Sequence, residues 1–215
     1  MNDNFQSLLD RAVIFHGHLC GGQVIGVRMA MAGLRELGIK DPNSREGRDL
    51  VIFIEIDRCA ADAIISVTGR TPGRRAIKLA DYGKMAATFI DISSDRAVRV
   101  SVKGDSNPKV DLIARTAFPE KDEKHANIAA LMDIAESDLF SIRKVAVTLK
   151  PQDLPGKPLS SATCQGCGET VKDMREVTVA GKVLCRPCAL GTDYYTVLGD
   201  TLPVSTQEEI IASKG

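Results

Sequence analysis

Tryptophan is absent from the 215 residues and aromatics make up only 4%, so the chain offers few rings on which nucleic-acid bases can stack. Neither sign of charge is in excess: 28 Lys and Arg balance 28 Asp and Glu. Nothing global therefore draws the protein toward nucleic acid or anionic lipid. No apolar run approaches the roughly 18 residues of a membrane-spanning helix, and no basic, apolar leader opens the chain. A soluble, cytoplasmic protein without membrane or nucleic-acid partners is expected. Histidine is scarce as well, with three in all.

What is present is ordinary for a globular protein with a real core: 44% hydrophobic and 26% charged residues, in a length that fits one large domain or a medium one plus a small one. Six cysteines are the exception. Four fall in two Cys-x-x-Cys pairs, a metal pattern more than a disulfide pattern, which fits a reducing compartment.

Two of the three histidines and one unpaired cysteine share the stretch His16-Gly17-His18-Leu19-Cys20-Gly21-Gly22. In an extended backbone His16, His18 and Cys20 line one face, whereas in a helix His18 falls opposite the other two. Gly17, Gly21 and Gly22 argue against helix. Imidazole and thiolate are preferred ligands of a borderline-soft ion such as zinc. The alternative is that the histidines cap a helix and Cys20 is a small buried hydrophobe.

Around this stretch, residues 2–15 read as an amphipathic helix with Phe5, Leu8, Leu9 and Ala12 on one side. Val24, Val27, Met31 and Leu34 mark a second helix ending at Gly38. Residues 50–56 read as a buried strand, followed by a helix capped by Asp57, carrying Cys59 in its first turn and ending at Gly69. Both unpaired cysteines thus stand at helix N-termini, where the dipole favours a thiolate. Residues 76–79 form a short strand, 86–92 and 97–103 a hairpin, 108–117 and 122–137 two helices, and 143–150 a last strand. His125 reads as a surface residue. The mixed order predicts an α+β fold with a mixed or antiparallel sheet and packed helices.

Residues 151–163 read as a linker between a core of residues 1–150 and a module of residues 164–215. In that module Cys164, Cys167, Cys185 and Cys188 have the spacing of a four-cysteine zinc site, with a hairpin between the pairs. Four thiolates fill a tetrahedral shell, so this zinc is expected to be structural. Residues 160–215 hold five Lys and Arg against seven Asp and Glu, and the module lacks the basic stripe of a nucleic-acid reader.

Together, the stretch at 16–22, the strand into Asp57-Arg58-Cys59, Asp81-Tyr82-Gly83-Lys84 and the four-cysteine module resemble the FmdE family, named for a component of formylmethanofuran dehydrogenase, and its stand-alone relatives. The resemblance implies an α+β core, often dimeric, with an auxiliary treble-clef zinc finger. It also implies a metal or active-site cluster, onto which His16, His18, Cys20 and Cys59 map, with a second transition metal, zinc among the candidates. Where the family's first motif usually has Pro after its Cys, this chain has Gly21. The parent complex reduces carbon dioxide with a molybdenum or tungsten pterin, but nothing in these residues looks like a pterin or iron–sulfur subunit. The expected role is thus an accessory subunit of a larger molybdenum or tungsten redox enzyme, or a stand-alone metal-binding relative. Asp57, Asp62, Tyr82 and Lys84 are candidates for supporting a ligand or moving a proton. The competing reading is an enzyme of unknown substrate, unrelated to methanogenesis, that is metal-dependent or uses Cys59 or Cys20 as nucleophile.

Overall fold

The computed structural model describes residues 3–191, 194 and 195; the remainder of the expected 164–215 module lies outside the described residues. The chain divides into two compact units, residues 1–157 and 158–215.

In the first unit, α1 (Asp3–His16) buries Phe5, Leu9 and Ala12, and α2 (Gly21–Leu37) buries Val24, Val27, Ala30 and Leu34. The glycine-based expectation is corrected here: Gly21 and Gly22 are the first two residues of α2, and Cys20 is its N-cap. The intrinsic cost of glycine in a helix is outweighed by the close packing it allows. Gly38 ends α2 in the left-handed conformation at φ 76°.

Strand β1 (Leu50–Ile54) is buried along most of its length because both faces are covered. It feeds α3 (Cys59–Thr68), whose N-cap is the exposed Arg58 and not Asp57. The chain returns in β2 (Ile77–Leu79), parallel to β1, so α3 is the crossover that a parallel pair requires. Strands β3 (Ala86–Asp91) and β4 (Arg96–Val102) form the expected hairpin.

Helix α4 (Ser106–Ala117) precedes α5 (Glu123–Asp133), which is capped by the Asp122 carboxylate accepting from the His125 N–H at 3.1 Å. His125 is exposed on the surface, as expected. The expected 122–137 helix breaks at Ile134 and Ala135, whose ψ angles of 137° and 139° are not helical, before a single turn α6 (Glu136–Leu139). Strand β5 (Phe140–Val145) starts earlier than expected, where Phe140 is buried.

The resulting five-stranded sheet has the order β2-β1-β3-β4-β5, antiparallel except for the β1–β2 pair. Helix α2 packs on β3 and β4, and the ring of Phe89 occupies the space a Cβ on Gly33 would need. The fold is α+β, with its core between this sheet and the helices.

The second unit begins with β6 (Ser161–Thr163), inside the stretch read as linker, paired with β7 (Thr170–Lys172). A second hairpin, β8 (Val177–Val179) and β9 (Lys182–Leu184), delivers the chain to α7 (Arg186–Leu190). No helix among the described residues is long and apolar enough to cross a membrane.

Candidate metal centres

Three helix ends build the core site. His16 is the last residue of α1, Cys20 caps α2, and Cys59 opens α3 at the end of β1. Gly17, at φ 99°, turns the chain between the first two helices, a conformation favourable to glycine. A nitrogen of His16 and the Sγ atoms of Cys20 and Cys59 all lie within 4.8 Å of one another. All three residues are half-buried.

The thiols meet because α2 and α3 touch through small residues. A Cβ on Gly22 would stand 2.7 Å from Cys59 Cβ, and one on Gly26 would stand 2.6 Å from Ala60 O and from Ala63 Cβ. The four-residue spacing of Gly22 and Gly26 puts both on one helix face. That repeat is the sequence signal for this contact, and local glycine propensity conceals it.

The imidazole of His16 is held from behind. Its Nδ1 lies 2.8 Å from Asp62 Oδ2, and Asp62 is one turn into α3 from Cys59. Its Nε2 is buried and has no hydrogen-bond partner. A carboxylate on one ring nitrogen with the other nitrogen left free is the arrangement by which metal-binding histidines are oriented. The donor set, one imidazole and two sulfurs, suits zinc and other borderline-soft ions.

His18 does not join the group. It is exposed, with its ring 4.6 Å from that of His16 at 39°. The alternation expected of an extended segment fails because His16 ends a helix. Tyr82 and Lys84 are both exposed, with the Lys84 Nζ 5.8 Å from the Tyr82 ring centroid. Their backbone N–H groups donate to the Glu55 carbonyl at 3.0 and 3.1 Å, which hangs this loop on the same end of β1 that leads to Cys59. Asp57 is exposed beside it.

Cys59 stands in the first turn of α3 as expected, but its surroundings oppose a thiolate. Burial pushes the Cys59 thiol up, and the neighbouring Cys20 adds to the effect. Both effects favour the protonated Cys59 thiol, which weakens the reading of Cys59 as nucleophile.

Sequence reasoning missed Gln23. It is fully buried, and its Nε2 donates to the Cys59 carbonyl at 2.6 Å. The available signal is a lone amide among the apolar residues of α2. Surface cavities of about 420 and 520 Å³ are lined by other residues, among them Arg115 and Phe118 in one and Met31 and Ile39 in the other.

In the second unit Cys164, Cys167, Cys185 and Cys188 bring their Sγ atoms within 4.8 Å of one another. Gly168 turns the chain at φ 79° after the first pair, and a Cβ on Gly166 would press to 3.0 Å on Cys188 Sγ. The N–H groups of Gly166 and Cys185 donate to Cys164 Sγ at 3.3 and 3.2 Å. Backbone N–H groups, that of Cys167 foremost, hold the Cys164 thiol down to about 6. By contrast, the sulfurs of Cys185 and Cys164 push Cys188 up to about 12. Four thiolates coexist here only with a cation among them, and the all-sulfur set fits zinc.

Both units have counterparts among known proteins. Residues 157–194 match the prokaryotic dksA/traR C4-type zinc finger. A probable S-adenosyl-L-methionine-binding protein of Archaeoglobus fulgidus is 29% identical over 210 residues, covering 89% of this chain. Those residues are 54% of that protein, so the chain spans about half the length of the curated relative it matches. The crystal structure of a tungsten formylmethanofuran dehydrogenase FmdE-like protein from Syntrophus aciditrophicus has the same fold. It superposes with a TM-score of 0.58 at 22% identity, over 89% of this chain and 95% of that one. The family model described as FmdE, molybdenum formylmethanofuran dehydrogenase operon, matches residues 15–142, more than half the sequence, and the chain belongs to that family.

Proposed function

We propose that the core is a transition-metal site in which His16 Nε2, Cys20 Sγ and Cys59 Sγ are the protein ligands and the remaining position admits an exogenous ligand. The buried, partnerless His16 Nε2 carries this reading, because the Asp62 carboxylate already engages the other nitrogen. A buried ring nitrogen without a partner is costly unless something occupies it. Zinc fits the donors, and such an ion supplies Lewis acidity to a bound ligand. Asp62 keeps the ring oriented, and the loop carrying Tyr82 and Lys84, hung on the Glu55 carbonyl, is a source of proton-transferring side chains at that end of β1.

The C-terminal zinc is structural and treble-clef-like in this reading, since its four sulfurs leave no open position. Two thiolate sites favour a reducing, cytoplasmic setting. Family membership supports a stand-alone or accessory FmdE relative, working as a homodimer or docked on a larger molybdenum or tungsten redox enzyme. Metal analysis of the full chain tests the core site. Two equivalents are expected in the wild type, one in His16→Ala or Cys59→Ala, and two in His18→Ala. Retention of both equivalents in Cys59→Ala would falsify the proposal.

The alignment with the archaeal protein along 89% of this chain favours a second reading, binding of S-adenosyl-L-methionine. Equilibrium dialysis with labelled S-adenosyl-L-methionine decides it.

A further inference from the structure

Among the described residues, two buried side-chain polar atoms lack a hydrogen-bond partner, His16 Nε2 and Gln23 Oε1. The first is accounted for by the metal site. The second stands beside the same site. Gln23 is the third residue of α2, three beyond Cys20, and its amide rests on the Cys59 backbone. A carbonyl oxygen only accepts, so the Cys59 carbonyl must take the NH2 end of the amide. That fixes the orientation of the side chain and leaves Oε1, an acceptor, with no donor. Buried acceptors are nearly always satisfied in folded proteins, and an apolar side chain fills the same space without the penalty. An unsatisfied acceptor on a side chain anchored to the backbone of Cys59 fits a donor that arrives with the occupant of the open position proposed above.

We propose that Gln23 is a positioning residue for the exogenous ligand. Its Oε1 accepts a hydrogen bond from a protic ligand, an amine, an alcohol or water, and discriminates against an anion with no hydrogen to give. The Cys59 contact sets where the acceptor stands. The inference rests on the core-metal reading.

The full chain is loaded with Co2+, and the spectrum of Cys59→Ala is subtracted so that the core site alone is read. Methoxyamine, a neutral N–H donor, and azide, which has no proton at neutral pH, are then titrated against the core absorption. Gln23→Met is expected to raise the half-saturating methoxyamine concentration by about tenfold, the worth of one neutral hydrogen bond, while azide moves by less than about twofold. Gln23→Leu, a second apolar replacement, is expected to weaken methoxyamine and spare azide in the same way. Equal weakening of both ligands by Gln23→Met, or no change in either, overturns the proposal. If the Met variant does not fold, equal weakening of both ligands, or no change in either, in Gln23→Leu overturns it instead. A wild-type chain with no Cys59-dependent cobalt absorption removes the metal reading itself, a different result from any of these.

Discussion

Gly22 and Cys59 meet so closely that a single added methyl group would bring their Cβ atoms to 2.7 Å. Backbone, not a flexible side-chain end, stands behind that contact, so Gly22→Ala must move α2 or α3. We expect a loss of about 1–3 kcal/mol in stability together with the core metal equivalent, while the zinc of the second unit stays. Metal content and denaturant unfolding of the same sample check both halves of the expectation.

Asp62 bonds His16 and stands apart from the group formed by that ring and the two thiols. Asp62→Ala should weaken core metal binding about 10- to 100-fold, as loss of an orienting carboxylate does elsewhere. Competition with a chromophoric chelator measures the change. Unaltered affinity removes Asp62 from the site.

Glu55 and Arg99 form a paired fork, Nε to Oε1 and Nη2 to Oε2, both at 2.7 Å, with the Glu55 side chain only 7% exposed. Arg99→Met leaves that carboxylate buried and alone, at a cost of about 3 kcal/mol. Adding Glu55→Met should recover most of the loss. If the double variant is as unstable as the single one, the pair is not the cause.

Asp91 provides the pH-dependent element of the β3–β4 turn. Burial pushes its carboxyl up, but Ser93 and Ser94 more than reverse this with hydroxyl and backbone hydrogen bonds, the Ser93 hydroxyl at 2.6 Å. The folded value therefore lies below the unfolded one, about 3.9 for an ordinary Asp. Its contribution is fully present above the unfolded value and is lost as pH falls through the folded one. The stability gap between wild type and Asp91→Asn should be flat above about pH 5 and shrink below about pH 4. A gap that widens on acidification contradicts the assignment.

Cys185→Ser, or chelation of zinc, should unfold the second unit alone, since zinc affinity there is folding free energy of about 10–16 kcal/mol. Amide exchange resolves the two units. Protection of β8 and β9 should vanish while that of β1 and β3 persists.

Apolar runs and punctuation are readable in the sequence: β1 from its unbroken hydrophobic stretch, the ends of α2 and α3 from Gly38 and Gly69, and the finger from paired cysteines. Those signals are local. The start of α2 is hidden because Gly21 and Gly22 are poor helix formers in isolation, and for Gly22 only closeness to α3 explains the choice. His18 groups with His16 under a period-two rule that a helix end does not obey. Gln23 escapes notice because its partner is the Cys59 carbonyl, 36 positions away, and backbone acceptors leave no trace in side-chain spacing.

His16, Cys20 and Cys59 belong to the end of one helix, the cap of a second and the first residue of a third. An ion shared by all three has a competent set of donors only in the native chain. Each tenfold rise in its free concentration above the dissociation constant then adds about 1.4 kcal/mol by mass action. On the proposed core-metal reading, the heat resistance of this domain becomes a gauge of how much metal its surroundings supply.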